Sequence, residues 1–278
     1  MNFQDNSSHD TEELIAKILT ENDDIQFVNP SIEEIQTVIK ILSTELPAPT
    51  GGTSNIDITN KDVLLLTDET TFREAQANFT TASALTQLVE LGVVELSKMN
   101  TGQDQVVITP SELYSLVTFD GETVTVSTTN NDEVRKFREF AKSYTDKDTP
   151  RLKHPALQDV RGALNETFND SYVQSFDEVI KALSMKQTEP PIADIFVVLS
   201  AYEGCLQKEI SRLLEDIGVN SIATISRCKT KLENEDIITK NSVMQQVGRP
   251  LHRLELSETT EPHVESASDI INIVQEIQ

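Results

Sequence analysis

Between Asp194 and Leu256 the apolar positions change period in an informative way. Ile195, Val198, Leu199 and Tyr202 fall on one helical face, and Leu206, Ile210, Leu213, Leu214 and Ile217 fall on another before Gly218 breaks the pattern. A third helical run extends from Ser221 to Glu233. Ile237–Lys240 is a short run ending at Asn241-Ser242, and Val243–Val247 and Leu251–Leu256 read as strands joined by Gly248-Arg249-Pro250. The pattern predicts three short helices closed by a hairpin.

That order is expected of a winged helix-turn-helix, whose third helix enters the major groove of DNA. With Ile225 at the origin of a helical wheel, Ile222, Cys228 and Leu232 fall within about 60° and are expected to be core. The opposite face carries Ala223, Arg227, Thr230, Lys231 and Asn234, which is small, polar and basic. Such a face can lie close to a phosphate backbone and reach base edges. Lys208 and Arg212 of the second helix would orient the unit on the groove. Arg249 at the hairpin tip, with His252 and Arg253 on the return strand, would supply the wing's contacts.

Charge changes the weight of this reading. From Thr224 to Arg253 there are six basic residues against three acidic ones, in a chain of formal charge −23. A strongly acidic protein that concentrates cations on one surface has a use for them there. The same helical unit also fits a protein-interaction adaptor whose Arg227 face meets an acidic partner, or an assembly module on a metabolite-binding protein. The acidic balance fits a halophilic host, because screening shortens to about 3 Å at 1 M salt. Lysine, however, is not depleted.

Upstream, Glu12–Thr20, Ile32–Leu46 and Asp132–Tyr144 show helical periodicity, and Phe72–Leu91 supplies one or two more helices. Ile25–Val28, Val63–Leu66, Val93–Leu96, Gln105–Thr109, Leu113–Phe119 and Glu122–Ser127 read as strands, the last two joined at Asp120-Gly121. The expectation is an α/β fold: an N-terminal mixed α/β sheet domain, mostly parallel with an antiparallel edge, then a helical linker and the C-terminal winged helix-turn-helix. The corresponding boundaries are 1–150 for a sensor or regulatory domain, 151–189 for the linker or dimerisation segment, 190–257 for the winged helix, and 258–278 for an acidic linker and final helix. Pro47–Asn55 reads as a flexible loop and Thr145–Pro150 as a hinge. The apolar final helix, Asp269–Ile277, should fold back on the protein or make a subunit contact.

Catalysis has little support in these residues. His9, His154, His252 and His263 are scattered without ligand or nucleophile spacing, and no glycine-rich phosphate loop follows a strand. No metal or cofactor is expected. A small metabolite could bind at strand ends near Asn29, Thr67, Asp68 and Thr70, although an Asp at such a place is as often a helix cap. Cys205 and Cys228 are expected as free, buried thiols. No apolar run reaches membrane-spanning length and the N-terminus is polar and acidic, so a cytoplasmic protein is expected.

The segments Leu206-Gln207-Lys208-Glu209-Ile210, Ser221 to Arg227, Lys231-Leu232-Glu233 and Asp236-Ile237-Ile238 resemble the winged-helix signature of archaeal and bacterial transcription regulators. With the acidic composition and the long α/β region, the whole chain looks like the haloarchaeal TbsP-like regulators. That resemblance implies a homodimer on duplex DNA, Arg227 facing the DNA, and control of sugar-metabolism genes. Many such proteins carry Gly where this chain has Asp236, which bears on the turn there.

Overall fold

The structure is a computed structural model that describes residues 3–6, 8–44, 58–99, 104–119, 122–144, 150–186, 188–244 and 250–277. The loop at Pro47–Asn55, the turn at Asp120-Gly121 and most of the hinge segment, 145–149, lie outside the described residues. The chain forms two compact units, Met1–Lys153 and His154–Gln278.

In the first unit the elements run β1 (Phe3–Asn6), α1 (Ser8–Glu21), β2 (Asp24–Val28), α2 (Ile32–Thr44), β3 (Asp62–Thr67), α3 (Glu69–Ala77), α4 (Phe79–Glu90), β4 (Val94–Lys98), β5 (Gln105–Ile108), β6 (Leu113–Phe119), β7 (Glu122–Thr128) and α5 (Asn131–Lys142). Side-chain alternation along the central strands builds two cores. Ile25, Phe27, Val63 and Leu65 pack with Ile15, Ile18, Val38 and Leu42 of α1 and α2. Val28, Leu64 and Leu66 point the other way and meet Val134 and Ala141 of α5. Buried on both faces, β3 reads as a continuous apolar run, as strands of parallel sheets do. A capping box starts α2, with Ser31 N–H donating to Glu34 Oε2 at 2.6 Å and Glu34 N–H donating to Ser31 Oγ at 3.2 Å.

The strand order is β1-β7-β6-β5-β2-β3-β4. Only β2-β3 and β3-β4 pair in parallel among the described strands; β2-β5, β5-β6, β6-β7 and β1-β7 are antiparallel. The expectation of a mostly parallel sheet is therefore corrected to a mixed one with a large antiparallel half. Connection length is the reason in the β5-β6-β7 part: parallel neighbours need a crossover of a dozen or more residues, which the short links after β5 and β6 cannot supply. The polar N-terminus also contributes β1, which adds main-chain pairing along the edge of β7.

The second unit contains α6 (Leu157–Thr167), α7 (Asp170–Leu183), α8 (Ile192–Tyr202), α9 (Gln207–Asp216), α10 (Ile222–Asn234), β8 (Ile238–Val243), β9 (Leu251–Leu256) and α11 (Ile270–Glu276). Every residue of α8 from Ala193 to Ala201 is buried, which accounts for a helix apolar nearly all round. Phe176 of α7 stacks on Phe196 with ring centroids 5.6 Å apart, and Tyr172 OH lies 3.0 Å from Ser200 Oγ. The final helix folds back within this unit: Ile270, Ile271 and Val274 are buried, and Lys186 Nζ reaches Asn272 Oδ1 at 3.3 Å and Gln275 Oε1 at 3.2 Å.

The wing is an antiparallel hairpin in which Ile238 faces Leu256 and Val243 faces Leu251. Its first strand is thus Ile238–Val243 rather than Val243–Val247, of which residues 245–247 lie outside the described residues. Inward burial at Ile238 and Leu254 sets this register, while Thr239 to Ser242 stay exposed. Leu206 adds a bridge to Arg253, and Leu254 N–H donates to Cys205 O at 2.9 Å, so the segment before α9 extends the hairpin. The polar stretch after Leu256 carries two 3-10 turns, Glu261–His263 and Ala267–Asp269, and buries Ser257 and Thr260.

Candidate nucleic-acid interface

The turn between α9 and α10 rests on Gly218, whose φ of 74° is in the left-handed region. Val219 N–H donates to Leu214 O at 2.9 Å across that turn. Ser221 caps α10, accepting from Thr224 N–H at 3.2 Å, and Glu215 Oε1 accepts from Ile222 N–H at 3.3 Å. At the other end the chain turns at Asp236. Its φ is 56°, a conformation Asp tolerates, and Thr259 Oγ1 donates to its Oδ2 at 2.9 Å. The third helix is thereby fixed at both ends.

On its inner side Ile225 and Leu232 are fully buried, as their spacing requires, and Cys228 is half-buried. One position departs from the wheel. Ile222, expected in the core, is 42% exposed. A wheel ranks angle but not position along the axis: Ile222 is the first residue of the helix and borders open space. Lys229, four residues after Ile225, falls on the inner side by its angle and is buried, with its ammonium neutralised by Glu233 Oε2 at 2.8 Å. Ala223, Ser226, Arg227, Thr230 and Asn234 form the exposed face, and Thr230 Oγ1 donates to Ser226 O at 3.0 Å.

Ion pairing sorts the cations. Lys231 Nζ lies 3.1 Å from Asp194 Oδ2, and Lys240 Nζ lies 3.3 Å from Glu233 Oε1. Burial pushes the Glu233 carboxyl up, but the hydrogen bonds and charges of Lys229 and Lys240 outweigh this and hold it below the usual carboxylate value. Half of the six basic residues counted in the sequence are therefore paired inside the unit. Arg227 stays exposed. Arg253 is exposed and donates from Nη1 to Gly204 O at 3.1 Å.

Lys208 and Arg212 of α9 and His252 of β9 line one open groove of about 350 Å³ with Ile222, Pro250 and Leu251. The helix-turn-helix and the wing thus contribute to a single surface. Arg249 lies outside the described residues. Ser226 and Ile222 belong to the exposed surface although the sequence reading did not include them; Ser226 could have been found from its position four residues before Thr230.

In the first unit Asn29, Asp68 and Thr70, considered for a metabolite, make local hydrogen bonds. Asp68 caps α3, accepting from Thr70 N–H at 2.7 Å and Thr71 N–H at 2.8 Å. Asn29 adopts a φ of 53°, and its N–H donates to Leu66 O at 2.8 Å. Thr67 is buried, and its Oγ1 has no hydrogen-bond partner among the described residues. Among the described residues no cluster of three His, Cys, Asp or Glu side chains could hold a metal ion, and no helix is long and apolar enough to cross a membrane.

Two family models match. Residues 4–155 match the N-terminal domain of the transcriptional regulator TbsP-like family, and residues 156–275 match that family's C-terminal HTH domain. No curated protein matches the chain. Among solved structures the chain is similar to TrmBL2, an archaeal chromatin protein whose structure shows a novel mode of DNA binding. That similarity has a TM-score of 0.36 at 11% identity and covers 51% of each chain.

Proposed function

The chain belongs to the TbsP-like family of transcriptional regulators, and from that premise we propose that it is a sequence-specific regulator that binds duplex DNA through α10 as a homodimer. The observation that carries this reading is the exposed Ala223, Ser226, Arg227, Thr230, Asn234 face of a helix capped at both ends, beside a groove that holds Lys208, Arg212 and His252. Small side chains admit the helix to the major groove, and Arg227 supplies a guanidinium that can bond guanine O6 and N7 together. Lys208, Arg212, Arg249, His252 and Arg253 would contact the sugar-phosphate backbone. Two copies would read two half-sites related by the dimer axis. The regulator acts without catalysis.

A role in sugar-metabolism genes rests on the resemblance of the whole chain to haloarchaeal regulators, and metabolite control rests on the strand ends near Asn29, Thr67, Asp68 and Thr70. The acidic composition supports a saline setting, where short-range screening removes the long-range repulsion between a chain of charge −23 and DNA. The test is selection of bound fragments from a genomic DNA library between about 0.2 and 2 M salt. Enrichment of a two-fold repeated site at high salt is the expected result. Failure to enrich any duplex, with the protein folded, overturns the proposal.

A further inference from the structure

We infer that Ile222 and Ala223, on the first turn of α10, read thymine C5-methyl groups in the major groove, an inference that rests on the DNA-binding reading above. A lone exposed isoleucine on a protein surface is ordinary. Here the setting is not. Ile222, with Pro250 and Leu251, forms an apolar strip in the groove that Lys208 and Arg212 border. Cations beside an apolar strip match the chemistry of a DNA groove, where anionic phosphates flank base edges and the methyl group is the apolar feature of a T·A pair.

Two of the N–H groups that a helix start would offer to a phosphate are already taken in α10. Ile222 N–H is taken by the Glu215 carboxylate and Thr224 N–H by Ser221. A carboxylate at that end repels a phosphate oxygen, so the helix start favours an uncharged edge. Ala223, exposed next to Ile222, widens the apolar contact without blocking close approach. Arg227 lies one turn further along and can read guanine, so an adjacent T and G within each half-site is the preference that follows.

The experiment uses the full chain and the site selected from genomic fragments. Each thymine in a half-site is replaced in turn by deoxyuridine, which removes only the methyl. The expected result is a loss of about fourfold in affinity at one or two positions. In Ile222→Ser and Ala223→Ser variants, each shown by thermal melting to be folded, that discrimination disappears at the matching position. An Arg227→Ala variant binds more weakly but keeps the thymine preference. Equal affinity for thymine and uracil at every position overturns the inference, as does discrimination that survives in both serine variants. A chain that binds no duplex overturns the DNA-binding reading itself.

Discussion

Lys231 Nζ stands 3.1 Å from Asp194 Oδ2, joining the last turn of α10 to the first turn of α8. The Asp194 side chain is 4% exposed and the Lys231 side chain 41% exposed, so the carboxylate depends on this ammonium while the ammonium keeps access to water. Spacing alone places Lys231 on the outward side of α10. In the folded chain it positions the helix that carries the outward residues.

Replacing Lys231 with Met should therefore act first on stability. It leaves the buried Asp194 carboxylate without its counter-charge, at a cost of about 1–3 kcal/mol. Denaturant unfolding should show the loss, and the double replacement Lys231→Met with Asp194→Leu should recover part of it. A Lys231→Met protein with unchanged stability and lost DNA binding would show that the side chain works at the DNA instead.

Arg227 makes the opposite prediction. Exposed and opposite the Ile225 and Leu232 core, it should cost about 1–3 kcal/mol of operator binding when replaced with Ala, with the melting temperature unchanged. A mobility-shift titration on the selected site checks this; equal affinity of variant and wild type rejects the assignment.

Glu233 should confer a pH dependence. Its carboxyl is held below its ordinary value of 4.5, with Lys229 and Lys240 overcoming the effect of burial. A lowered folded-state value means the contribution is present above that ordinary value and is lost as pH falls through the folded one. Glu233→Gln should thus be less stable than wild type at neutral pH, and the gap should close in acid. A gap that stays constant to low pH would show that charge is not the source.

Both thiols should be sluggish. Burial, aided by the Glu203 carboxylate, pushes Cys205 up to about 12, and burial with the Asp194 hydrogen bond pushes Cys228 up to about 12. At pH 8 iodoacetamide should label neither quickly in the folded protein, and both rapidly in denaturant. Because the folded values are raised, their contribution to stability is full below the ordinary value of 9.0 and falls as pH rises toward 12. Rapid labelling of the native protein at pH 8 would contradict this environment.

Much of the second unit was legible because short-range periodicity and backbone chemistry agree there. Ile225 and Leu232 are seven residues apart and share the buried face, Gly218 takes the left-handed turn, and the helices of the module fall close to their expected limits. The second wing strand was equally readable. Its first strand was displaced, because alternation in Ile238–Val243 is faint when four successive residues are polar and exposed. In the sheet, the segments were visible but their partners were not: nothing local to Gln105–Ile108 states that it pairs antiparallel with β2.

What the sequence by itself determined, then, was most of the helices and strands, though not β1 or the first wing strand, together with the inner side of α10 and the outward placement of Arg227, since these follow from repeats of 3.6 and 2 residues. The Lys229–Glu233 pair is local, four residues apart on one helix, but tertiary structure alone decided that Lys231 and Lys240 are spoken for. Both look equivalent to Arg227 in a charge count, yet Asp194 and Glu233 hold them, and Asp194 is 37 residues from Lys231 along the chain. Tertiary structure likewise turned Ile222 outward to the groove with Lys208, Arg212 and His252. Ion pairs and grooves depend on distances between elements, and a periodic pattern carries no information about those distances.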